Sequence, residues 1–173
     1  MERVTREMIY AFLTELGHRY RKVANLYLIG GGALCLLGNP RPTLDIDYVG
    51  DDLHKSELQR AIDEVAHEMH LEVDAVPIDG FVPLPSDAQE HCVYIEQFNN
   101  LSVYVFDPYT IALSKVDRGF DTDVEDILFL IRRGNIEFAE LEKLVFAALE
   151  QADTFGFDVR AVLDHLQLVR RSL

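Results

Sequence analysis

The sequence has few cysteines, and they are not spaced for metal binding. Its 173 residues include only two, Cys35 and Cys92, each in an apolar setting and far from the other. The closely paired cysteines and histidines of a zinc site are absent. We therefore expect two reduced thiols in a cytoplasmic protein.

Long apolar runs are also missing. No stretch approaches the roughly 20 apolar residues that cross a bilayer as a helix, and hydrophobic residues make up 49% of the chain, as in an ordinary globular protein. The first residues, M-E-R-V-T-R-E-M, lack the apolar core of a signal peptide. These absences predict a protein without a membrane partner.

Basic residues are in short supply. The chain has 16 lysines and arginines against 30 acidic residues, a net charge of −14. Such a protein repels the phosphate backbone of nucleic acids, so an RNA partner would need a local basic face. Most basic residues can equally be solvated helix ends, favoured there by the helix dipole. The candidates for a basic face are Arg19, Arg21, Lys22, Arg41, Arg132, Arg133, Arg170 and Arg171.

The stretch from Leu26 to Val49 organises the chain. Leu26 to Ile29 is short and apolar, as a buried strand would be. Three glycines, at positions 30 to 32, follow at once and predict a sharp turn that lets the backbone approach a ligand. A compact helical run from Ala33 to Leu37 precedes a second strand, which opens after Thr43.

That second strand carries two aspartates, Asp45 and Asp47, on one face. Two adjacent carboxylates repel each other unless a cation lies between them. Mg²⁺ favours such a pair together with substrate phosphates, and a glycine turn at a helix N-terminus offers N–H groups to those phosphates. The segment therefore predicts a nucleoside triphosphate site.

Two other phosphate-binding motifs can be set aside. A dinucleotide-binding G-x-G-x-x-G motif would need a third glycine where Cys35 stands, and no G-K-[ST] of a P-loop is present. A D-x-D pair or a glycine turn taken alone is weak, since either is common at solvated strand ends. Their order and spacing, with Arg41 and Thr43 between them, carry the prediction.

The motif G-G-G-A at Gly30 to Ala33, followed by R-P-T-L-D-I-D at Arg41 to Asp47, resembles the DNA polymerase β-type nucleotidyltransferase superfamily. Within it, the chain is most similar to small bacterial nucleotidyltransferase-like proteins, including the minimal nucleotidyltransferases and the abortive-infection toxin type (AbiEii-like). The resemblance implies an α+β (α/β two-layer) nucleotidyltransferase fold, a small mixed sheet with helices packed on it and a C-terminal helical extension. We expect one domain over residues 1–173, with a core at about 22–120 and a helical part at about 121–173.

The resemblance also implies ligands. Nucleotide would contact Gly30, Gly31, Gly32, Arg41 and Thr43. Mg²⁺, with Mn²⁺ as a substitute, would occupy a two-metal site on Asp45, Asp47 and a third carboxylate from a later strand.

Asp74 is the candidate for that third carboxylate. It lies within a predicted strand, Leu71 to Val76, where an acid in apolar company is costly unless something pairs with it. The alternative is an edge strand whose acidic face is exposed to solvent. Asp79 and Asp107 are rival candidates for the third ligand.

Two cations further along, Lys115 and Arg118, share a face of a helix predicted to begin after Asp107-Pro108. The run that follows them resembles the family's lysine helix and D-x-x-D helix. This resemblance implies that both cations contact triphosphate oxygens. Salt bridges to Asp123 and Asp126 are the structural alternative, and both can hold at once.

The expected function is Mg²⁺-dependent transfer of a nucleoside monophosphate to a hydroxyl of RNA or protein. The resemblance implies a toxin of a toxin–antitoxin or phage-defence system, with tRNA or a protein as acceptor and a cognate antitoxin as partner. The alternatives are a catalytically inactive module of the same fold that binds nucleotide or protein, and a structural or antitoxin-type protein with solvated aspartates.

Overall fold

A computed structural model describes residues 3–173, which divide into two compact units. One unit comprises the chain up to Ile78 together with Cys92–Phe106 and contains all five strands. The other comprises Asp79–His91 and Asp107–Leu173 and is helical. None of the helices within the described residues is both long and apolar enough to cross a membrane.

In the sheet unit, helices and strands alternate as far as the third strand, and no α-helix separates the last three strands. The elements are α1 (Arg6–Arg19), β1 (Ala24–Ile29), α2 (Gly30–Leu36), β2 (Ile46–Val49), α3 (Glu57–Met69), β3 (Val73–Val76), β4 (Val93–Phe98) and β5 (Leu101–Val105). The sheet has the order β3-β2-β1-β5-β4 and is mixed: β1 pairs with β5 and β2 with β3 in parallel, whereas β1–β2 and β4–β5 are antiparallel.

Within the helical unit, the helix α4 (Pro108–Arg118) begins at the Asp107-Pro108 junction, as predicted. The Asp107 carboxylate accepts hydrogen bonds from two N–H groups of the first turn, and Pro108 needs no partner there. The helices are α4 (Pro108–Arg118), α5 (Asp121–Arg132), α6 (Phe138–Leu149), α7 (Ala152–Phe155) and α8 (Val159–Arg171). Short 3₁₀ turns occur at Ile78–Gly80 and Ala88–His91.

Local sequence signals set several boundaries. The S-x-x-Q pattern from Ser56 to Gln59 predicts a capping box for α3. It is present, because the Ser56 hydroxyl accepts from the Gln59 N–H while the Gln59 side chain accepts from the Ser56 N–H. Apolar alternation on both sides of Asn99-Asn100 predicts a hairpin there. The hairpin is present, and Asn99 adopts a φ of 54°. The α+β prediction is confirmed: a mixed five-stranded sheet accompanies eight α-helices within residues 3–173.

The helices of the sheet unit cover one face of the sheet. α2 contacts β1 and β2, α1 contacts β4, and α3 contacts β3. Burial on this face raises the pKa of Tyr48 to about 12, although a hydrogen bond with Gln59 of α3 opposes the rise. The side chains packed on this face, all nearly inaccessible, are Leu26, Leu28, Ile46, Tyr48, Leu101, Val103 and Val105.

Some predicted boundaries were wrong. The glycines do not form a turn ahead of a helix; they are its first turn, because α2 begins at Gly30 directly after β1. The sequence also predicts a capping box from Thr122 to Glu125. Helix α5 instead begins at Asp121, and Asp123 makes the cap, since its carboxylate accepts from the Phe120 N–H at 3.1 Å. Tertiary partners of Asp123 favour this choice over the local capping pattern.

Candidate metal and nucleotide site

The three aspartates are brought together by strand register. Asp47 lies in β2, opposite Ile29 of β1 on one side and Asp74 of β3 on the other. Asp45 precedes β2 by one residue, so the strand begins later than the sequence predicted. Because residues two apart along an extended chain point the same way, all three carboxylates reach the same side.

The resulting cluster has the composition of a divalent cation site. One carboxylate oxygen from each of Asp45, Asp47 and Asp74 lies within 4.8 Å of the others. Asp45 and Asp47 are half-buried, whereas Asp74 is exposed. Hard carboxylate oxygens at such spacing suit Mg²⁺ or Mn²⁺, which prefer oxygen ligands. The residues present therefore fit the metal that the family resemblance implies.

Gly30 allows Asp47 to approach the main chain. Its φ is +66°, and a Cβ atom there would lie 2.6 Å from an Asp47 carboxylate oxygen. Such a contact is far shorter than any normal Cβ approach, and a side chain would also be strained in this left-handed conformation. The glycine is thus required both by the backbone and by the position of Asp47.

Thr43 fixes the segment that leads to the aspartates. It exchanges two main-chain hydrogen bonds with Val4, of 2.8 and 3.0 Å, forming an isolated antiparallel bridge. Its buried side chain packs on Gly31, where a Cβ would lie 2.5 Å from the hydroxyl oxygen. The observed contact of the Thr43 side chain is therefore with Gly31, in the first turn of α2.

Arg41 lies in the loop between α2 and β2. Its N–H donates to the Asn39 side chain at 3.1 Å, and its carbonyl accepts from the Cys35 thiol at 3.2 Å. The residue also lines an open cleft of about 400 Å³, together with Thr5, Arg6, Glu7, Cys35, Gly38, Asn39, Pro40 and Pro42. A nucleotide contact of Arg41 remains a prediction.

The rival carboxylates have other surroundings. Asp107 is fully buried and binds the first turn of α4, where Thr110 also donates its hydroxyl at 2.6 Å. Asp79 is exposed in a 3₁₀ turn. Neither is part of the group of potential metal ligands found among the described residues, which consists of Asp45, Asp47 and Asp74.

Lys115 and Arg118 belong to an ion-pair cluster in the helical unit. The Lys115 ammonium is 2.8 Å from Asp126 and 3.3 Å from Asp123, and Arg118 donates twice to Asp123. The salt bridges to Asp123 and Asp126, which were the alternative to nucleotide binding for these cations, are therefore present. Their predicted contact with a triphosphate remains a prediction, and for Lys115, only 3% exposed, it would disturb two buried pairs.

Electrostatics in that cluster favour the ionised carboxylate. Burial by itself raises the pKa of Asp123, but hydrogen bonds from Arg118 and the charge of Lys115 outweigh it, so the pKa is lowered. The cluster thus holds its carboxylate charged in a place from which water is largely excluded.

Sequence reasoning missed one feature of the carboxylate face. Tyr27, Tyr104 and Tyr94 lie side by side on β1, β5 and β4, on the opposite face from the helix-covered residues. No local pattern marks them, because only strand order and register bring them together.

Of the comparisons with known proteins, only the one with protein families gives a match. No curated protein and no solved structure matches the chain significantly. A family model described as "Nucleotidyltransferase of unknown function (DUF6036)" matches residues 7–162, which include every strand and all three clustered aspartates. Because that match spans most of its 173 residues, the chain belongs to the DUF6036 family of nucleotidyltransferases.

Proposed function

We propose that this protein transfers a nucleoside monophosphate from a nucleoside triphosphate to a hydroxyl group of RNA or protein, with Mg²⁺ as cofactor. The observation that carries the proposal is that Asp45, Asp47 and Asp74 lie together beside the glycines in the first turn of α2. Family membership supports the reaction class. The placement of Asp74 disfavours an inactive binding module, since two aspartates alone would make a poor two-metal site.

The three aspartates would hold Mg²⁺ or Mn²⁺, and such ions, when bound, offset the charge that develops on the transferring phosphoryl group. The main chain at Gly30 to Gly32 would lie against the β- and γ-phosphates. An Asp47 carboxylate oxygen lies 2.6 Å from where a Cβ of Gly30 would be, so the carboxylates and the start of this main chain lie side by side. Arg41, Thr43, Lys115 and Arg118 remain proposed nucleotide contacts.

The transfer would be an in-line displacement. The acceptor hydroxyl oxygen forms a bond to the α-phosphorus, the bond from that phosphorus to the bridging oxygen breaks, and pyrophosphate leaves. The hydroxyl proton passes to a carboxylate acting as general base. Asp74 suits that role because it is the exposed member of the cluster and therefore accessible to an acceptor arriving from solvent.

A toxin role is the finer part of the proposal. It rests on the resemblance of the G-G-G-A and R-P-T-L-D-I-D motifs to the abortive-infection toxin type. A toxin of this kind would modify tRNA or a protein and would be restrained by a cognate antitoxin. Expression of the wild-type chain would then slow growth, while an Asp47→Asn variant would not.

The direct test follows label from each of four α-³²P nucleoside triphosphates into the RNA or protein of a cell lysate, with Mg²⁺ present. We expect Asp45→Asn and Asp47→Asn to reduce transfer by about 10³-fold or more, since metal-assisted charge stabilisation amounts to several kcal/mol. Asp52→Asn is the matched control, because Asp52 is an exposed aspartate just beyond β2. Equal transfer by the wild type and by Asp47→Asn would contradict the proposal.

A further inference from the structure

The sheet face opposite the helices of its own unit carries three rows of side chains with different chemistry. Cross-strand partners share a face, so the register defines each row. Asp47 and Asp74 form the first row. Tyr27, Tyr104 and Tyr94 form the second, and Asn25, Ser102 and Gln97 form the third.

The tyrosines make a continuous aromatic ladder. The rings of Tyr27 and Tyr104 stack with centroids 5.1 Å apart and 24° between their planes. Tyr94 meets Tyr104 edge to face at 5.5 Å. Tyr27 and Tyr104 are half-buried, whereas Tyr94, on the edge strand, is 55% exposed. The accessible ring surface therefore lies at the outer end of the ladder.

A β-bulge places Tyr94 on this face. The pairing of β4 with β5 shifts between Tyr94 and Glu96, so Tyr94 opposes Tyr104 while Phe98 opposes Leu101 on the helix-covered face. Without the extra residue, Tyr94 and Phe98, four positions apart, would point the same way. The irregularity thus turns toward this face an aromatic ring that regular alternation would have placed on the helix-covered face with Phe98.

We propose that this ladder and the polar row beside it bind the bases of a single-stranded RNA acceptor, an inference that rests on the proposed function. Aromatic rings stack on any base, and uncharged amides and hydroxyls can hydrogen-bond to base edges. The second and third rows contain no lysine, arginine or carboxylate. Such a surface recognises bases rather than phosphates, which suits a chain with a net charge of −14.

Distance favours the acceptor over the donor nucleotide. Strands are about 4.8 Å apart, and each residue advances about 3.3 Å along a strand. The Cα atom of Tyr94 is therefore about 16 Å from that of Asp47, whereas that of Tyr27 is about 8 Å away. A base on the exposed Tyr94 ring would be too far to belong to the triphosphate at the carboxylates, but it could belong to a nucleotide upstream of the reacting 3′ hydroxyl.

The test measures binding of a 5′-fluorescein single-stranded RNA of eight nucleotides to the whole chain by fluorescence anisotropy, with Mg²⁺ present. We expect Tyr94→Leu to weaken binding about tenfold, as expected for one lost base–aromatic stack, and Tyr94→Phe to keep most of it. Phe146→Leu is the matched control, since Phe146 is a 52% exposed aromatic on α6. The RNA affinity should fall only weakly with salt, as for a site with few phosphate contacts.

Two further measurements show whether the base that binds at Tyr94 belongs to the acceptor RNA or to the donor nucleoside triphosphate. Tyr94→Leu should raise the KM for RNA labelling with kcat little changed, because only binding is lost. It should leave the melting temperature and the stabilisation by nucleoside triphosphate with Mg²⁺ as in the wild type. Parallel loss of nucleotide binding would assign the ladder to the donor base and overturn the acceptor assignment.

The inference and the proposed function can fail separately. Unchanged RNA binding in Tyr94→Leu, no RNA binding by the wild type, or labelling of protein but not RNA would overturn the inference while Asp47-dependent transfer still stands. RNA binding that depends on Tyr94, without any transfer, would uphold the binding surface and reject the enzyme.

Discussion

Two clusters of aspartates lie in the two units, and they differ in the source of their counter-charge. In the sheet unit, Asp45, Asp47 and Asp74 gather three negative charges within 4.8 Å, partly open to solvent. In the helical unit, Asp123 and Asp126 are each about 1% exposed and receive Lys115 and Arg118 as partners. The second cluster balances two carboxylates with two cations of the chain itself.

The physical difference is one of solvation. At 4.8 Å, each pair of like charges costs about 1 kcal/mol in water-like surroundings and more where the site is drier. A half-buried cluster tolerates that repulsion, and a divalent cation relieves it. A fully buried carboxylate needs a permanent partner. The same residue type thus forms a candidate cation site in one unit and a buried ion-pair cluster in the other.

Breaking the buried cluster should have the largest effect on stability. Lys115→Met leaves Asp126 buried without its cation and should lower the free energy of unfolding by about 3–5 kcal/mol. Adding Asp126→Leu should recover most of that loss, because an apolar pair replaces the ion pair. Urea unfolding of both variants measures the change.

Lys143→Met provides the control for that series. Lys143 pairs with Glu140 at 2.7 Å on the surface of α6, with its side chain 73% exposed, and its loss should leave the free energy of unfolding almost unchanged. If Lys143→Met and Lys115→Met lowered the free energy of unfolding by similar amounts, burial would not explain the stabilisation by the Lys115 ion pairs.

The carboxylate cluster should respond to Mg²⁺ instead. At a concentration 100-fold above its dissociation constant, the ion should stabilise the wild type by about 2.7 kcal/mol. Asp47→Asn should abolish this gain, because it removes one of the three carboxylates of the cluster. Thermal unfolding with and without Mg²⁺ measures the gain, and equal stabilisation of the two proteins would refute the assignment.

Gly30→Ala should disturb the site through a single methyl group. The left-handed backbone costs an alanine about 1–2 kcal/mol, and the added Cβ would displace Asp47. Gly134→Ala is the matched control, since Gly134 has a φ of +73° but nothing within 4 Å of the added atom. Both variants should lose similar stability, and only Gly30→Ala should lose stabilisation by Mg²⁺.

Lowering the pH should have the smallest effect on stability of all these changes, and it acts on the buried cluster through Asp123. The pKa of Asp123 is lower in the folded chain than in the unfolded one, so its stabilising contribution is complete above about pH 4 and is lost as pH falls further. Arg118→Gln should make this loss shallower, by at most about 1 kcal/mol since Arg118 is exposed. Urea midpoints between about pH 6 and pH 3 measure the slope, and identical slopes would exclude this role of Arg118.

Local sequence patterns predicted much of the fold. The Ser56 capping box, the Asn99-Asn100 hairpin and the Asp107-Pro108 helix start each depend on residues within a few positions of one another. Such short-range hydrogen bonds form in the same way whatever surrounds them. The start of α5 was less predictable, because Asp123 is held by distant Lys115 as well as by its own turn.

The sequence by itself determined the D-x-D pair, the glycines and the acidic composition, because these are matters of residue identity and close spacing. Only the tertiary structure decided that β3 lies beside β2. This pairing makes Asp74 the third member of a cluster rather than an isolated acidic residue on a strand. The tertiary structure likewise decided that Tyr27, Tyr104 and Tyr94 form a ladder. Strand order and register depend on packing across the whole sheet, so no local stretch of sequence contains them.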